Sequence, residues 1–269
     1  MPLNLSTKAK ITWCPGCPNS QILVAFRQAI ESLVADGSLK IENLVAGAGI
    51  GCHGKISDYL NVNTFTALHG RVIPAMTGIK CANPRLTVIG MSGDGDSYSE
   101  GLEHLIAAAR RNSDIKLFIH DNQVFALTTG QASAASPKGF KSKTTPAGTT
   151  EEPFDAFAVL LSAGATFAAR TYAGDIAGTR RVIEAAIRHK GFSFTEIIQP
   201  CITFFDTRDY FKERVFWRNG DASEKGVAGN PAANPDDAIK LSRKDGEKIP
   251  LGIFYNVEKP TFEEQLLAN

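Results

Sequence analysis

Four cysteines and one acidic glycine loop are the parts of this chain best equipped for chemistry. Cys14 and Cys17 form a Cys-Pro-Gly-Cys pair near the N-terminus, Cys52 lies in a glycine-rich stretch, and Cys201 follows Pro200. Thiolates from separated segments are the ligand set of an iron–sulfur cluster. Gly93-Asp94-Gly95-Asp96 is followed one helix and one strand later by Asn122. Mg²⁺ takes hard oxygen ligands in near-octahedral geometry. A carboxylate from Asp94, an amide oxygen from Asn122 and a backbone carbonyl near Val124 would supply three, leaving the rest to a diphosphate and water. Gly93 and Gly95 permit a tight turn whose N–H groups face phosphate, and a helix beginning near Ser99 adds its positive end. Alone, the acidic tetrapeptide reads equally well as a solvated turn; Asn122 favours the ion site.

These residues need elements to position them. Ile11–Trp13 reads as a short strand, and Asn19 or Ser20 as the cap of a helix with Ile22, Leu23, Phe26, Ile30, Leu33 and Val34 at helical spacing, closed by Gly37. Strands are expected at 41–46, 65–68, 86–91, 115–120, 165–170 and 192–198. Helices are expected at 72–82, 99–111, 154–162 and 175–189. The segment 128–150, rich in Thr, Ser, Gly, Ala and Lys, reads as a long loop. Such alternation argues for an α/β fold: a mostly parallel sheet with helices on both faces, its ligand edge at the carboxyl ends of the strands. Cys52, His69, Asp94 and Asn122 all follow strands and can therefore converge. Beyond about Arg218 the composition turns polar, then gives a short helix, an apolar patch at 249–255 and a last segment at 260–267. We expect residues 1–217 to form the main domain and 218–269 to be an extended C-terminal tail packing on it or on another subunit.

Composition narrows the class. The 269 residues are 43% hydrophobic and 21% charged, with a formal net charge of +1. That balance is ordinary for a globular domain and gives no support for nucleic-acid or membrane-surface binding. Met1–Lys10 has no apolar signal region, and the longest apolar run, about 156–169, is too short for a bilayer span of roughly 20 residues. A cytoplasmic location is the expectation, with the cysteines reduced, metal-bound or catalytic rather than disulfide-linked.

The ordered motifs together resemble a known family. The stretch from Gly93-Asp94-Gly95-Asp96 to Asn122 is similar to the thiamine diphosphate motif. With Trp13-Cys14-Pro15-Gly16-Cys17, Gly49-Ile50-Gly51-Cys52, Leu68-His69-Gly70-Arg71 and Gln199-Pro200-Cys201, the chain resembles the beta subunit of 2-oxoacid:ferredoxin oxidoreductases. Ile249–Tyr255 and Pro260-Thr261-Phe262-Glu263-Glu264 also fit that subunit, so the likeness covers nearly the whole chain. The resemblance implies a thiamine diphosphate-binding fold, with Mg²⁺ on Asp94, Asn122 and the Val124 carbonyl and a [4Fe–4S] cluster on Cys14, Cys17, Cys52 and Cys201. Gly51, Cys52, His69, Gly93, Asp94, Gly95, Asp96, Asn122, Val124, Leu127 and Thr128 would line the cofactor. It implies oxidative decarboxylation of a 2-oxoacid, 2-oxoglutarate or a broad range including pyruvate, with coenzyme A giving acyl-CoA and ferredoxin taking electrons. An alpha subunit would supply the other half of the site, including the glutamate that activates thiamine. The chain departs from the family pattern at Pro18, His53, Cys81, Asp121 and Phe125.

Lys55, His69 and Arg71 are the candidate catalytic residues. Lys55 could hold a carboxylate or be a solvated loop lysine. His69 and Arg71 follow a strand at the ligand edge; Arg71 could pair with phosphate or carboxylate, and His69 could be functional or a hydrogen-bonded structural residue. His53 could tune a cluster or face water; His104, His120 and His189 read as structural, and Cys81 as a small apolar residue. Two rivals use the same cysteines. One is a thioredoxin-like dithiol oxidoreductase on Cys14 and Cys17, which needs a depressed thiol pKa. The other is a non-catalytic scaffold with four cysteines on Zn²⁺.

Overall fold

The computed structural model describes residues 3–221, 223, 229–244 and 247–268. Parts of the polar stretch after Arg218 therefore lie outside the described residues. The strands are β1 (Leu44–Ala48), β2 (Asn63–Thr66), β3 (Thr87–Gly93), β4 (Ile115–Asp121), β5 (Val124–Phe125), β6 (Gln131–Ala132), β7 (Phe167–Tyr172), β8 (Ser193–Ile198), β9 (Val215–Trp217) and β10 (Ile249–Asn256). The helices are α1 (Asn19–Ala35), α2 (Ile56–Tyr59), α3 (Val72–Ala82), α4 (Leu102–Arg111), α5 (Ala156–Ala163), α6 (Ile176–Arg188), α7 (Arg208–Arg214), α8 (Pro235–Ser242) and α9 (Phe262–Leu267). Eight strands make one sheet in the order β2-β1-β3-β4-β8-β7-β10-β9, with β5 and β6 a separate hairpin. The first six are mutually parallel, and β10 joins β7 antiparallel.

The central strands β4 and β8 are buried along their whole length, as helices on both faces require. One core sits under α1 and α6 and includes Phe26, Phe118 and Phe167. The other, under α3, α4, α5 and α8, includes Met76, Phe157, Phe194 and Phe254. β1 has β2 on one side and β3 on the other, so the chain reverses its winding direction between β1 and β3. Crevices outside the carboxyl ends of strands at such a reversal are where open α/β sheets bind ligands.

Several expected elements shift. Ile11–Trp13 forms no strand: Ile11 is exposed, and among the described residues none pairs with this segment in a ladder. Residues 41–43 make a 3₁₀ turn before β1 starts at Leu44. Leu68 lies in an exposed loop beyond β2. Asn19 does not cap α1; its side chain is buried, and its Oδ1 lies 2.7 Å from His120 Nδ1. Helical winding begins at Gly95 in wide π-type turns and passes to α4 only after Gly101; such turns often mark functional sites. The apolar run at 249–255 is a buried strand of the main sheet.

Candidate active site

The acidic loop lies at the carboxyl end of β3. Asp94 is 1% exposed. Its Oδ1 accepts the Asn122 N–H at 3.4 Å, and its Oδ2 accepts the Ser133 hydroxyl. Burial pushes its carboxyl up to about 7, while these hydrogen bonds and backbone N–H groups of the loop pull it down. Among the described residues no cationic side chain is among the main influences on it. Asn122 follows β4 in a turn held by Gln123 at φ +64°. Its Oδ1 accepts the Val124 N–H at 3.1 Å and retains a second lone pair. The Val124 carbonyl accepts the Ala126 N–H at 2.9 Å. The loop backbone is clamped by its neighbours. A Cβ at Gly95 would stand 2.4 Å from the Phe125 ring and one at Gly93 2.7 Å from the His53 ring.

Asp96 ties the surrounding loops together. Its Oδ1 accepts the N–H groups of Ile50 at 3.2 Å and Gly70 at 2.8 Å, and its Oδ2 accepts the Ser92 hydroxyl at 2.5 Å. His69 Nδ1 lies 3.0 Å from Oδ1, and His53 Nε2 lies 3.9 Å from Oδ2. Burial holds His53 down at about 4, so its ring is neutral. The cleft so formed is lined by Gly51, Cys52, His69, Gly93, Asp94, Gly95, Asp96, Asn122, Val124, Leu127 and Thr128, together with Ile50, His53, Phe125 and Ala126. All eleven residues expected to line the cofactor thus meet in one place. Arg71 does not line this cleft; its guanidinium turns to Glu103, 3.3 Å away, and to His104 on α4.

The four cysteines line a neighbouring cavity of about 180 Å³. Cys14 and Cys17 bracket a turn in which Cys17 N–H donates to the Cys14 carbonyl at 3.0 Å and Gly16 takes φ +81°. Trp13 Nε1 donates to the Cys52 carbonyl at 2.6 Å, tying the N-terminal arm to the loop after β1. The Thr203 hydroxyl lies 3.3 Å from the Cys14 sulfur. Lys55 lines this cavity, not the cleft around Asp94, and donates to the Thr12 hydroxyl at 3.0 Å. Burial raises the Cys17 thiol and pushes Cys52 up to about 11, the reverse of the activated thiol that a dithiol oxidoreductase needs. Among the described residues no three His, Cys, Asp or Glu side chains gather as ligands of one metal ion. The four cysteines share the wall of this one cavity. Cys81 lies apart on α3 and is half-buried.

Sequence reasoning missed Ser133, Ser92 and Gln199 as members of this region. Ser133 lies in a loop whose composition gave no signal for one residue over another. Gln199 was visible only as part of Gln-Pro-Cys.

A loop of this kind at the winding reversal of a parallel sheet is a ligand-site position of open α/β enzymes. Residues 49–197 match the family described as thiamine pyrophosphate enzyme, C-terminal TPP binding domain. Residues 201–268 match the family of C-terminal segments of the pyruvate ferredoxin oxidoreductase beta subunit. The chain is 39% identical to the 2-oxoacid:ferredoxin oxidoreductase subunit beta of Sulfolobus sp. over 265 residues, covering 96% of this chain and 86% of that one. It is 38% identical to subunit beta of 2-oxoacid:ferredoxin oxidoreductase 1 of Aeropyrum pernix over 260 residues, covering 94% and 80%. Among solved structures, the 2-oxoglutarate:ferredoxin oxidoreductase from Magnetococcus marinus with 2-oxoglutarate, coenzyme A and succinyl-CoA bound matches with a TM-score of 0.88 at 30% identity, covering 98% of this chain and 87% of that one. The chain belongs to the family of 2-oxoacid:ferredoxin oxidoreductase beta subunits. No helix among the described residues is long and apolar enough to cross a membrane.

Proposed function

We propose that this chain carries thiamine diphosphate, Mg²⁺ and a [4Fe–4S] cluster in an enzyme that oxidatively decarboxylates a 2-oxoacid to its acyl-CoA and passes the electrons to ferredoxin. The observation that carries the reading is a shared wall: Cys52, Asn122, Ala126 and Leu127 line both the diphosphate cleft and the cysteine cavity. When bound, thiamine diphosphate supplies the electron sink for decarboxylation and the cluster a one-electron relay. Asp94, Asn122 and the Val124 carbonyl hold the ion, and the loop N–H groups and His69 face the diphosphate. Cys14, Cys17, Cys52 and Cys201 hold the cluster. Lys55 sets a positive charge by the cysteines, where it can attract a substrate carboxylate.

The partner is an alpha subunit. Among the described residues lining the cleft there is no glutamate to activate thiamine. The rim exposes Ile50, Leu68 and Leu127 at 37%, 79% and 48%, apolar surface of the kind that a partner covers. Residues 1–217 form the cofactor-bearing body. The described residues of the segment 218–269 pack on it, a reading supported by the place of β10 in the sheet. The substrate is 2-oxoglutarate or a broad range of 2-oxoacids including pyruvate, and the setting is cytoplasmic.

The test is the assembly of alpha and beta chains, purified without oxygen. About four iron and four labile sulfide per beta chain, thiamine diphosphate released on denaturation, and turnover across pyruvate, 2-oxobutyrate, 2-oxoglutarate and branched 2-oxoacids are expected. The beta chain alone is expected to be inactive. Zinc in place of iron, or a Cys14–Cys17 disulfide cycling with substrate, would overturn the reading.

A further inference from the structure

One buried side chain joins the two cavities. Gln199 is 1% exposed and sits between β8 and Cys201, its own N–H donating to the Asp121 carbonyl at 2.8 Å. Its Nε2 donates to the Pro200 carbonyl at 3.0 Å and faces the Cys17 sulfur at 3.9 Å. Its Oε1 accepts from Asn122 Nδ2 at 3.4 Å.

The two ends of a side-chain amide are alike in shape, so hydrogen-bond partners must decide which way it points. Here they do. The Pro200 carbonyl can only accept, so the Gln199 atom beside it is the NH₂ group. The Val124 N–H can only donate, so the Asn122 atom it meets, 3.1 Å away, is the oxygen. The remaining Asn122 nitrogen then meets the remaining Gln199 oxygen. The chain of donors runs one way, from Val124 N–H through Asn122 and Gln199 to the sulfur of Cys17.

The geometry points to Gln199 as a positioning residue that couples the two cofactors: it orients the Asn122 amide toward the ion and donates a hydrogen bond to a cluster thiolate. This rests on the proposed assignment of Asn122 and Cys17 as ligands. Hydrogen bonds to sulfur are one of the levers that set cluster potential. A donor near a thiolate favours the reduced, more negative cluster and raises its potential. An ion drawing on Asn122 Oδ1 polarises the amide, strengthens its N–H donation to Gln199 and, through the conjugated amide, the donation to sulfur. Filling the diphosphate site should therefore raise the cluster potential, and by linkage reduction of the cluster should tighten the cofactor.

The experiment uses the assembled alpha–beta enzyme and measures cluster midpoint potential by EPR-monitored titration, with and without Mg²⁺–thiamine diphosphate. In the wild type, adding the cofactor is expected to raise the potential. In Gln199→Met, which keeps length but has no amide, the reduced-to-oxidised ratio at fixed applied potential should fall about ten-fold, or about 59 mV for a one-electron couple. In enzyme loaded with iron, sulfide and saturating Mg²⁺–thiamine diphosphate, the response to cofactor should vanish. Gln199→Glu is the second variant, in case the first loses cluster; it keeps an acceptor toward Asn122 and removes the donor toward sulfur, so the potential should again fall. A wild-type enzyme without iron or thiamine diphosphate would overturn the functional reading itself. An enzyme that holds both, with a cofactor response undiminished in either loaded variant, would overturn the role of Gln199 alone.

Discussion

Two aspartates at opposite ends of neighbouring strands meet opposite electrostatic environments. Asp114 stands just before β4, at the edge away from the cleft. Asp94 stands just after β3, in it. Burial acts to raise Asp114, but Lys116 and Lys80, each with Nζ 2.6 Å from one of its oxygens, hold its carboxyl well below the usual carboxylate range. Among the described residues Asp94 has hydrogen bonds but no such cations, and burial pushes it up to about 7. At one end the chain completes a buried charge with its own lysines. At the other it leaves one incomplete, and that end is where the glycine loop, the histidines and the cysteines gather. The contrast separates charge paired within the fold from charge the fold leaves to hydrogen bonds alone.

Removing Asp114 should produce the largest loss. Asp114→Ala leaves two buried ammonium groups without their counter-ion, and breaking a buried pair this way costs about 3–5 kcal/mol. Denaturant unfolding of the chain should show that loss, while cofactor affinity of the folded enzyme holds. A loss under about 1 kcal/mol would show the lysines re-paired and would erase the contrast. The same pair sets an acid limb. A carboxylate depressed in the folded state gives stabilisation that is complete above its unfolded pKa, about 4, and drains as pH falls below it. Wild-type stability should therefore fall more steeply below about pH 4 than that of Asp114→Asn.

The cleft end should respond to ligand instead. At a hundred-fold excess over Kd, Mg²⁺ and thiamine diphosphate should stabilise the wild type by about 2.7 kcal/mol, read as a rise in thermal midpoint of the assembled enzyme. Asp94→Asn should lose that gain, with stability in the absence of cofactor unchanged or higher because an uncompensated buried carboxylate is gone. Chelation of Mg²⁺ should do to the wild type what the substitution does. An equal ligand-induced rise in Asp94→Asn would remove Asp94 from the ion site.

Much of this site was readable before the fold, because its members follow strand ends and strand ends share one edge. Buried strands announce themselves as apolar runs, and glycines and Asp94 mark the loop. What was hidden depends on register. Gln199 reaches Asn122 because β4 and β8 pair with Asp121 opposite Ile198, a fact that no local spacing encodes. Asn19 has the type of a helix cap, but the packing of α1 on the sheet draws its amide to His120. Ile11–Trp13 has strand-forming residues but, among the described residues, none that pairs with it in a ladder. Ser133 is one hydroxyl among many in its loop until the fold presents it to Asp94.

The smallest expected effect lies within one tripeptide. His69 and Arg71 follow the same strand, and in sequence both are candidate catalytic residues. The structure divides them. His69 faces Asp96 from within the cleft. Arg71 lies on the far side, about half exposed, against the similarly exposed Glu103. An exposed pair of that kind contributes about 0–1 kcal/mol and weakens further with salt. Arg71→Ala should therefore lower stability by no more than about 1 kcal/mol and leave thiamine diphosphate affinity unchanged, measured by titration into the cofactor-free enzyme. His69→Ala should weaken that affinity, because it removes a ring from the cleft wall and a partner from Asp96. Equal losses in the two variants would mean that Arg71 swings away from Glu103 when cofactor binds, and would move the boundary between fold-serving and ligand-serving charge outward to the start of α4.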